Sequence, residues 1–149
     1  MYKDAFKQSL LELVEHSRGE ILVCVENDRL SKMAMEVLEE LLPAGKLFLT
    51  WDIPKSHTIN GESNVEVESF LMRHLEKVRE CHLHDQKPGK FSHDILGVGK
   101  IDFYRYLKIL LPRDVYFTLE VRPRENALKS LKILKGMLGK LDWSISVPA

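Results

Sequence analysis

The sequence predicts an α/β protein whose parallel strand–helix units form half of a TIM-type barrel. Short apolar segments alternate four times with longer amphipathic stretches, which is the pattern of right-handed βαβ units. Each apolar segment alternates between an apolar face and a face that turns polar towards its carboxyl end. Each also runs into an acidic or histidine residue, and these residues are Glu26, Asp52, His82 and Glu120.

The first part of the chain supplies an extra N-terminal helix and two strands. Helices are predicted where apolar residues recur with a period near 3.6, and strands where short apolar runs lie between turn residues. Arg18-Gly19 ends the first helix, and Asn27-Asp28 caps the second. The predicted elements are a helix over residues 3–16, a strand over 21–26, a helix over 30–41 and a strand over 46–52.

The second part repeats the same alternation. A polar loop follows Asp52, and the longest irregular stretch, residues 85–100, ends in Gly97-Val98-Gly99. Pro112 separates the fourth helix from the fourth strand. No element is predicted for residues 141–149. The predicted elements are helices over 65–80, 101–111 and 125–138, and strands over 81–84 and 114–121.

Alternation along the strands favours a barrel over an open sheet. In the second strand Leu47, Leu49 and Trp51 face one way, and the opposite face ends in Thr50 and Asp52. An open doubly wound sheet is apolar on both faces throughout. A barrel is apolar outside, and its functional groups point inward at the carboxyl ends of the strands.

The four strand-end residues form a ligand set for a divalent metal only if the sheet is curved. The outer strands of a flat four-stranded sheet lie about 14 Å apart, whereas metal ligands lie about 2.0–2.3 Å from the ion. A site that includes Glu26 and Glu120 therefore requires strong curvature. A complete eight-stranded barrel takes about 250 residues, so four strands look like half of one.

Composition indicates a single globular domain over residues 1–149. The 149 residues are 44% apolar, which is enough for a core, and no apolar run is long enough to span a membrane. Cys24 and Cys81 fall in strands, and buried free thiols suit a cytoplasmic location. The formal net charge is zero, so nucleic acid is an unexpected partner.

Each candidate residue also has a simpler structural interpretation. Glu26 alone is also a favourable acid at a helix N-terminus, and Asp52 alone is a turn cap. His82 and His84 point to the same side, and one of them serves only as a hydrogen-bonding partner. Gly97-Val98-Gly99 either exposes backbone amides to an anion or forms a tight turn.

At these residues the sequence resembles the xylose isomerase-like barrel superfamily, which includes sugar isomerases, ketose 3-epimerases and endonuclease IV-type nucleases. The resemblance covers essentially the whole chain and corresponds to the C-terminal half of that family. The matching segments are VEN at residues 25–27, the strand ending at Asp52, HLHD at 82–85, HDILGVGKIDF at 93–103 and the glutamate of TLEVRP at 120.

The resemblance implies a divalent metal, Mn²⁺, Mg²⁺, Co²⁺ or Zn²⁺, held by Glu26, Asp52, His82 and Glu120. In the isomerase and epimerase branch the two glutamates also act as acid and base on opposite faces of the substrate. It further implies a sugar isomerase or epimerase acting on a small polyhydroxylated compound. Residues expected to contact that substrate are His93, His84, Arg122 and Lys55.

Two departures disfavour the apurinic-site nuclease branch. Phe91 stands where the nuclease pattern has an aspartate, and Lys55 stands where it has a histidine. The remaining alternatives concern whether the half-barrel needs a partner, not which reaction it catalyses. Half a barrel exposes strand edges, so we expect either a homo-oligomer or a complementary half-barrel as partner, and an inactive half-barrel fragment that self-associates remains an alternative.

Overall fold

A computed structural model describes residues 2–141 of the chain. Within that range, four parallel strands form one sheet in the order β1-β2-β3-β4. The strands are β1 Val23–Glu26, β2 Leu47–Asp52, β3 Val78–Leu83 and β4 Tyr116–Leu119. The helices are α1 Tyr2–Ser17, α2 Lys32–Leu41, α3 Val65–Arg73, α4 Phe103–Leu110 and α5 Arg124–Lys140.

This arrangement confirms the predicted fold class, four parallel strand–helix units with an extra helix before the first strand. The helices pack on one face of the sheet, and the core lies between the two layers. Trp51 is fully buried there, and its ring meets the edge of Tyr106 from α4 at a centroid distance of 5.4 Å. Trp51 therefore faces the helices, as the strand alternation predicts.

The boundary between α3 and β3 differs from the prediction. Helix α3 ends at Arg73, a short 3₁₀ turn follows, and β3 begins at Val78. Val78 is fully buried and pairs with Leu49, so an apolar residue that also fits the helical period belongs to the sheet. The prediction that residues 78–80 are helical is wrong, and Glu80 lies in a strand.

The predicted cap of α2 is also wrong. Ser31, not Asn27-Asp28, caps this helix, because its hydroxyl accepts a hydrogen bond from the Ala34 amide at 3.2 Å. Asn27 is buried, and its side chain binds the sheet instead.

Helix α1 lies beside α2 and runs in the same direction. Lys3 binds Glu36 at 3.1 Å, and Lys7 binds Glu40 at 2.7 Å. From the first ion pair to the second, the lysine moves one helical turn along α1 and the glutamate moves one helical turn along α2. Because both move towards the C-terminal end, the two helices are parallel. Surface ion pairs of this kind add little stability. Their value here is that they place α1 in the outer layer next to β1, like the other helices of a barrel.

Asp85 organises the long loop that follows β3. Its carboxylate is fully buried and accepts hydrogen bonds from the amides of Gly97 and Gly99, each at 2.9 Å. The protein's own carboxylate thus occupies the amides that an external anion would need, so the anion-binding interpretation of Gly97-Val98-Gly99 is wrong. The loop is instead a fixed support for His93.

No helix among residues 2–141 is both long enough and apolar enough to cross a membrane.

We predict that Gly99→Ala destabilises the protein by about 1–3 kcal/mol, because a methyl group there overlaps the Gln86 carbonyl oxygen and the Asp85 carboxylate. Gly136→Ala in α5 is the control, since a methyl group there meets nothing within 4 Å. The control gains about 0.5–1 kcal/mol from helix propensity. Urea unfolding measures both, and equal midpoints for the two variants would refute this account of the loop.

Candidate functional site

The four strand-end residues converge on the inner face of the sheet. His82 Nδ1 lies 3.9 Å from Glu26 Oε1, 3.9 Å from Asp52 Oδ2 and 3.5 Å from Glu120 Oε2. Glu26 and Glu120 come from opposite ends of the sheet, yet these two oxygens are at most about 8 Å apart, against about 14 Å for the outer strands of a flat sheet. The sheet is therefore strongly curved.

The His82 ring has one nitrogen that no described residue satisfies. Nδ1 is buried and has no hydrogen-bond partner, which is costly for a polar atom. Its distances to the three carboxylate oxygens are too long for hydrogen bonds. The distances from Glu26 and Asp52 suit ligands of one ion, because atoms about 2.1 Å from an ion lie about 3 to 4 Å from one another. Glu120 approaches the same nitrogen, but the four residues do not form one group whose ligand atoms all lie within 4.8 Å of one another. The donor set fits a divalent metal.

Glu80 holds the other side of the His82 ring. Glu80 Oε1 lies 3.3 Å from His82 Nε2 and accepts a hydrogen bond from the Thr118 hydroxyl at 2.9 Å. The Thr50 hydroxyl donates to the second oxygen at 3.4 Å. Metal-binding histidines commonly donate their second N–H to a carboxylate in this way. Glu80 is not among the predicted site residues, because residues 65–80 are predicted to be helical, although Glu80 precedes His82 by two residues on the same strand face.

Asp52 is fully buried and remains ionised. Burial raises the pKa of its carboxyl, but the hydrogen bond and charge of His84 and the amide and charge of Lys55 outweigh burial, so the pKa lies below its usual value. The Lys55 amide donates to Asp52 Oδ1 at 3.1 Å. This leaves Asp52 Oδ2 directed at His82 and His84 as a charged acceptor.

His84 is held between two acceptors. Its Nδ1 lies 3.1 Å from the Ser92 carbonyl oxygen, and its Nε2 lies 3.3 Å from Asp52 Oδ2. Burial lowers the pKa of His84, but its hydrogen bond to Asp52 and the charge of that residue outweigh burial and raise it above its usual value. Because both partners are oxygen acceptors, both ring nitrogens are directed at acceptors, and His84 supports Asp52 rather than offering a lone pair.

The hydrogen-bond partners of the histidines distinguish two candidate metal groups. Ligand atoms of Glu26, Asp52 and His82 lie within 4.8 Å of one another, and so do those of a second group, His84, His93 and Glu120. The second group includes His84, whose two nitrogens both face oxygen acceptors. The first group includes the unsatisfied nitrogen of His82 and is the better metal site.

Lys55 places an ammonium group among the carboxylates. Its Nζ forms an ion pair with Glu26 and lies 3.6 Å from Asp52 Oδ2. Burial lowers the pKa of Lys55, but the hydrogen bond to Glu26 and the charges of Asp52, Glu26 and Asp28 raise it above its usual value. Lys55 therefore carries a positive charge at the mouth of the site, where the resemblance expects a substrate contact.

Asn27 fixes the spacing between the ends of β1 and β2. Its side-chain nitrogen donates to the Asp52 carbonyl at 3.0 Å, and its side-chain oxygen accepts from the Asp52 amide at 2.7 Å. The Asn27 carboxamide thus forms the two hydrogen bonds that a backbone peptide group would otherwise form between β1 and β2, next to the candidate site. Glu26, the residue before it, is held beside Asp52 as a result.

His93 and Arg122 lie at the free edge of the sheet. Together with Leu119, Glu120 and Val121 they line an open cavity of about 480 Å³. The His93 ring stacks on His84 at 4.0 Å, and its Nδ1 lies 3.0 Å from the Glu120 carbonyl oxygen. Arg122 and Glu120 form no ion pair in the part of the chain that the structure describes, so Arg122 does not orient that glutamate.

Comparison with known proteins gives one structural relative. A D-tagatose 3-epimerase-like protein of known crystal structure superimposes on this chain with a TM-score of 0.73 and 24% sequence identity. The match covers 92% of this chain and 54% of the other, so this chain spans about half the length of its relative. The sequence matches no family model and none of the curated proteins. The likeness shows the fold of a barrel half.

We predict that Asn27→Ala destabilises the protein by about 1–3 kcal/mol, because it leaves the buried amide and carbonyl of Asp52 unpaired. Asn60→Ala, at an exposed position, is the control and should change the unfolding free energy by less than about 0.5 kcal/mol. Chemical denaturation measures both. Similar values for the two variants would show that Asn27 does not tie the strands together.

We also predict that Asp52→Asn lowers the pKa of His84 in the metal-free protein, because it removes the charge that outweighs burial. A titration of the histidine ring resonances by NMR should place the wild-type midpoint above the ordinary histidine value of about 6.5 and the variant below it. Asp114→Asn, at an exposed position, serves as the control. An unchanged His84 midpoint in Asp52→Asn would contradict the pairing.

Proposed function

We propose that this chain is the metal-binding, C-terminal half of a sugar isomerase- or epimerase-like enzyme and requires a complementary half for activity. The observation that carries the proposal is the buried, unsatisfied Nδ1 of His82, which faces carboxylate oxygens from three other strand ends. The name of the structural relative, a D-tagatose 3-epimerase-like protein, agrees with a small sugar as substrate.

Glu26, Asp52, His82 and Glu120 would hold the ion. Three carboxylates and one imidazole suit Mn²⁺ or Mg²⁺ better than structural Zn²⁺, and Co²⁺ shares the same donor preferences. When bound, such an ion supplies Lewis acidity that polarises a sugar carbonyl. For Glu26 to contribute its oxygen, the Lys55 ammonium must leave it, which its long flexible side chain allows.

Glu26 and Glu120 are the proposed acid and base. They lie on opposite sides of His82, and about a third of each side chain is exposed, so a substrate seated between them can reach both. One carboxylate removes a proton from the carbon beside the carbonyl, and the other returns a proton to the opposite face. The result is epimerisation or, with return at the neighbouring carbon, isomerisation.

The remaining polar groups would bind the hydroxyls of the sugar. His93 and Arg122 line the cavity beside Glu120, and Lys55 stands at the opposite side of the site next to Glu26. His84 acts on the substrate only indirectly, through Asp52 and the stacked His93 ring. A nuclease is less well supported, because Lys55 and the exposed Phe91 occupy two positions where it requires metal ligands.

We predict that Mn²⁺ binds the purified chain and that Glu80→Gln weakens the binding about 10- to 100-fold, because it disturbs the carboxylate that orients His82. His82→Ala should reduce the affinity further. Glu125→Gln, on the exposed face of α5, is the control and should leave it unchanged. Isothermal titration calorimetry measures the affinities, and equal values in all four proteins would refute the site.

For activity, we predict that Glu26→Gln and Glu120→Gln each slow proton exchange between a ketose and solvent at least about 100-fold, the usual contribution of general acid–base catalysis. The assay follows deuterium incorporation by NMR, with the barrel completed by a complementary half and Glu125→Gln as the control. Unchanged exchange in both glutamine variants would exclude these residues as acid and base.

A further inference from the structure

Both edges of the sheet lack a neighbour within residues 2–141. Strands β1 and β4 each pair on one side only, so their outer backbone groups form no ladder. Apolar side chains next to both edges are exposed to water. Ile21 and Leu22 precede β1 and are 68% and 54% exposed, and Tyr116 at the start of β4 is 70% exposed. Two unpaired strand edges, each flanked by exposed apolar side chains, indicate two docking surfaces.

The helices beside these edges also have uncovered apolar positions. Helix α1 contacts β1 and exposes Leu13, while α5 contacts β4 and exposes Leu128 and Leu131. Each of these end helices packs on the sheet with one face and leaves apolar residues on another. The uncovered surface therefore extends from the strand edge into the helical layer on both sides.

The number of helices restricts what can dock there. A closed barrel of eight strands has eight gaps between strands, with one helix over each. The chain has four strands but five helices in its described part, because α1 precedes β1 and α5 follows β4. The ion pairs of α1 with α2 show that α1 already lies in the outer layer. Three gaps therefore remain without a helix.

A second copy of the chain does not satisfy this count. Two copies would bring ten helices to eight gaps, and α5 of one copy would meet α1 of the other over the same pair of strands. A unit of four strands joined by three helices, beginning and ending with a strand, fills the barrel without conflict. The unmatched part of the structural relative, a little less than half of its chain, has the appropriate size.

We propose that the two sheet edges bind a complementary half-barrel of four parallel strands and three helices, and that a second copy of this chain cannot close the barrel. This partner completes the site of the proposed function. The docking itself does not depend on that function; its effect on activity does. The cavity beside Glu120 and Arg122 opens at the β4 edge, so the partner's first strand and the loop after it form its missing wall.

The test uses the part of the D-tagatose 3-epimerase-like protein that the match leaves uncovered, fused to the full chain as the complementary half. Hydrogen exchange of the backbone amides is compared with that of the chain alone. The outward amides of residues 23–26 and 116–119 should exchange at least about 100-fold more slowly in a monomeric fusion, while the paired amides of β2 and β3 serve as internal controls. A folded fusion whose edge amides stay fast would overturn the proposal.

A second arm tests the excluded alternative directly and needs no fusion. Leu22→Cys and Tyr116→Cys are combined with Cys24→Ser and Cys81→Ser, so that the two new thiols lie at the two edges. Two copies closed into a barrel would form intermolecular disulfides in high yield. We expect no yield above that of the Leu22→Cys variant lacking the second edge cysteine, and a quantitative disulfide dimer would overturn the proposal.

The two readouts separate the partner from the chemistry. Edge protection is measured without substrate, so a protected fusion that shows no proton exchange with ketoses would contradict the proposed function and support the partner. An active chain that stays monomeric with unprotected edges would contradict the partner and the need for a complementary half, and would leave the proposed chemistry in place.

Discussion

The curvature of the four-stranded sheet is the constraint on which the rest of the structure depends. It brings oxygens from β1 and from the end of β4, at opposite sides of the sheet, within 3.9 Å of one imidazole nitrogen. The same curvature turns Trp51 and its neighbours towards the helices, where they form the core. A flat sheet would separate the acidic side chains and leave no common centre for them.

Buried polar contacts keep this convergence in place. Asn27 binds both peptide groups of Asp52 and so links the first two strand ends, while Glu80 orients His82 from the layer below. Asp85 fixes the loop that carries His93 by occupying the amides of Gly97 and Gly99. The charge of Lys55 partly balances the acidic centre, and His84 hydrogen-bonds to Asp52. Each of these groups would be costly to bury alone, and each has a partner.

The sequence predicted the strand ends and the inward face better than it predicted the element boundaries. A period of two is local, so the side on which Asp52 and Trp51 lie follows from their neighbours alone. The end of α3 does not, because Val78 fits both a helical stripe and a strand, and only its pairing with Leu49 decides. Glu80, Asn27 and Asp85 were missed or misread for the same reason: their roles depend on partners from distant parts of the chain.

The central claim is that the curved sheet gathers Glu26, Asp52, His82 and Glu120 around one ion. The most direct measurement is an anomalous difference map at the manganese absorption edge, from a crystal of the barrel-completed protein soaked in Mn²⁺. The expected result is a single strong peak bonded to His82 Nδ1 and to carboxylate oxygens from β1, β2 and the end of β4. A map without a peak there, or with one between His84 and His93 instead, would contradict it.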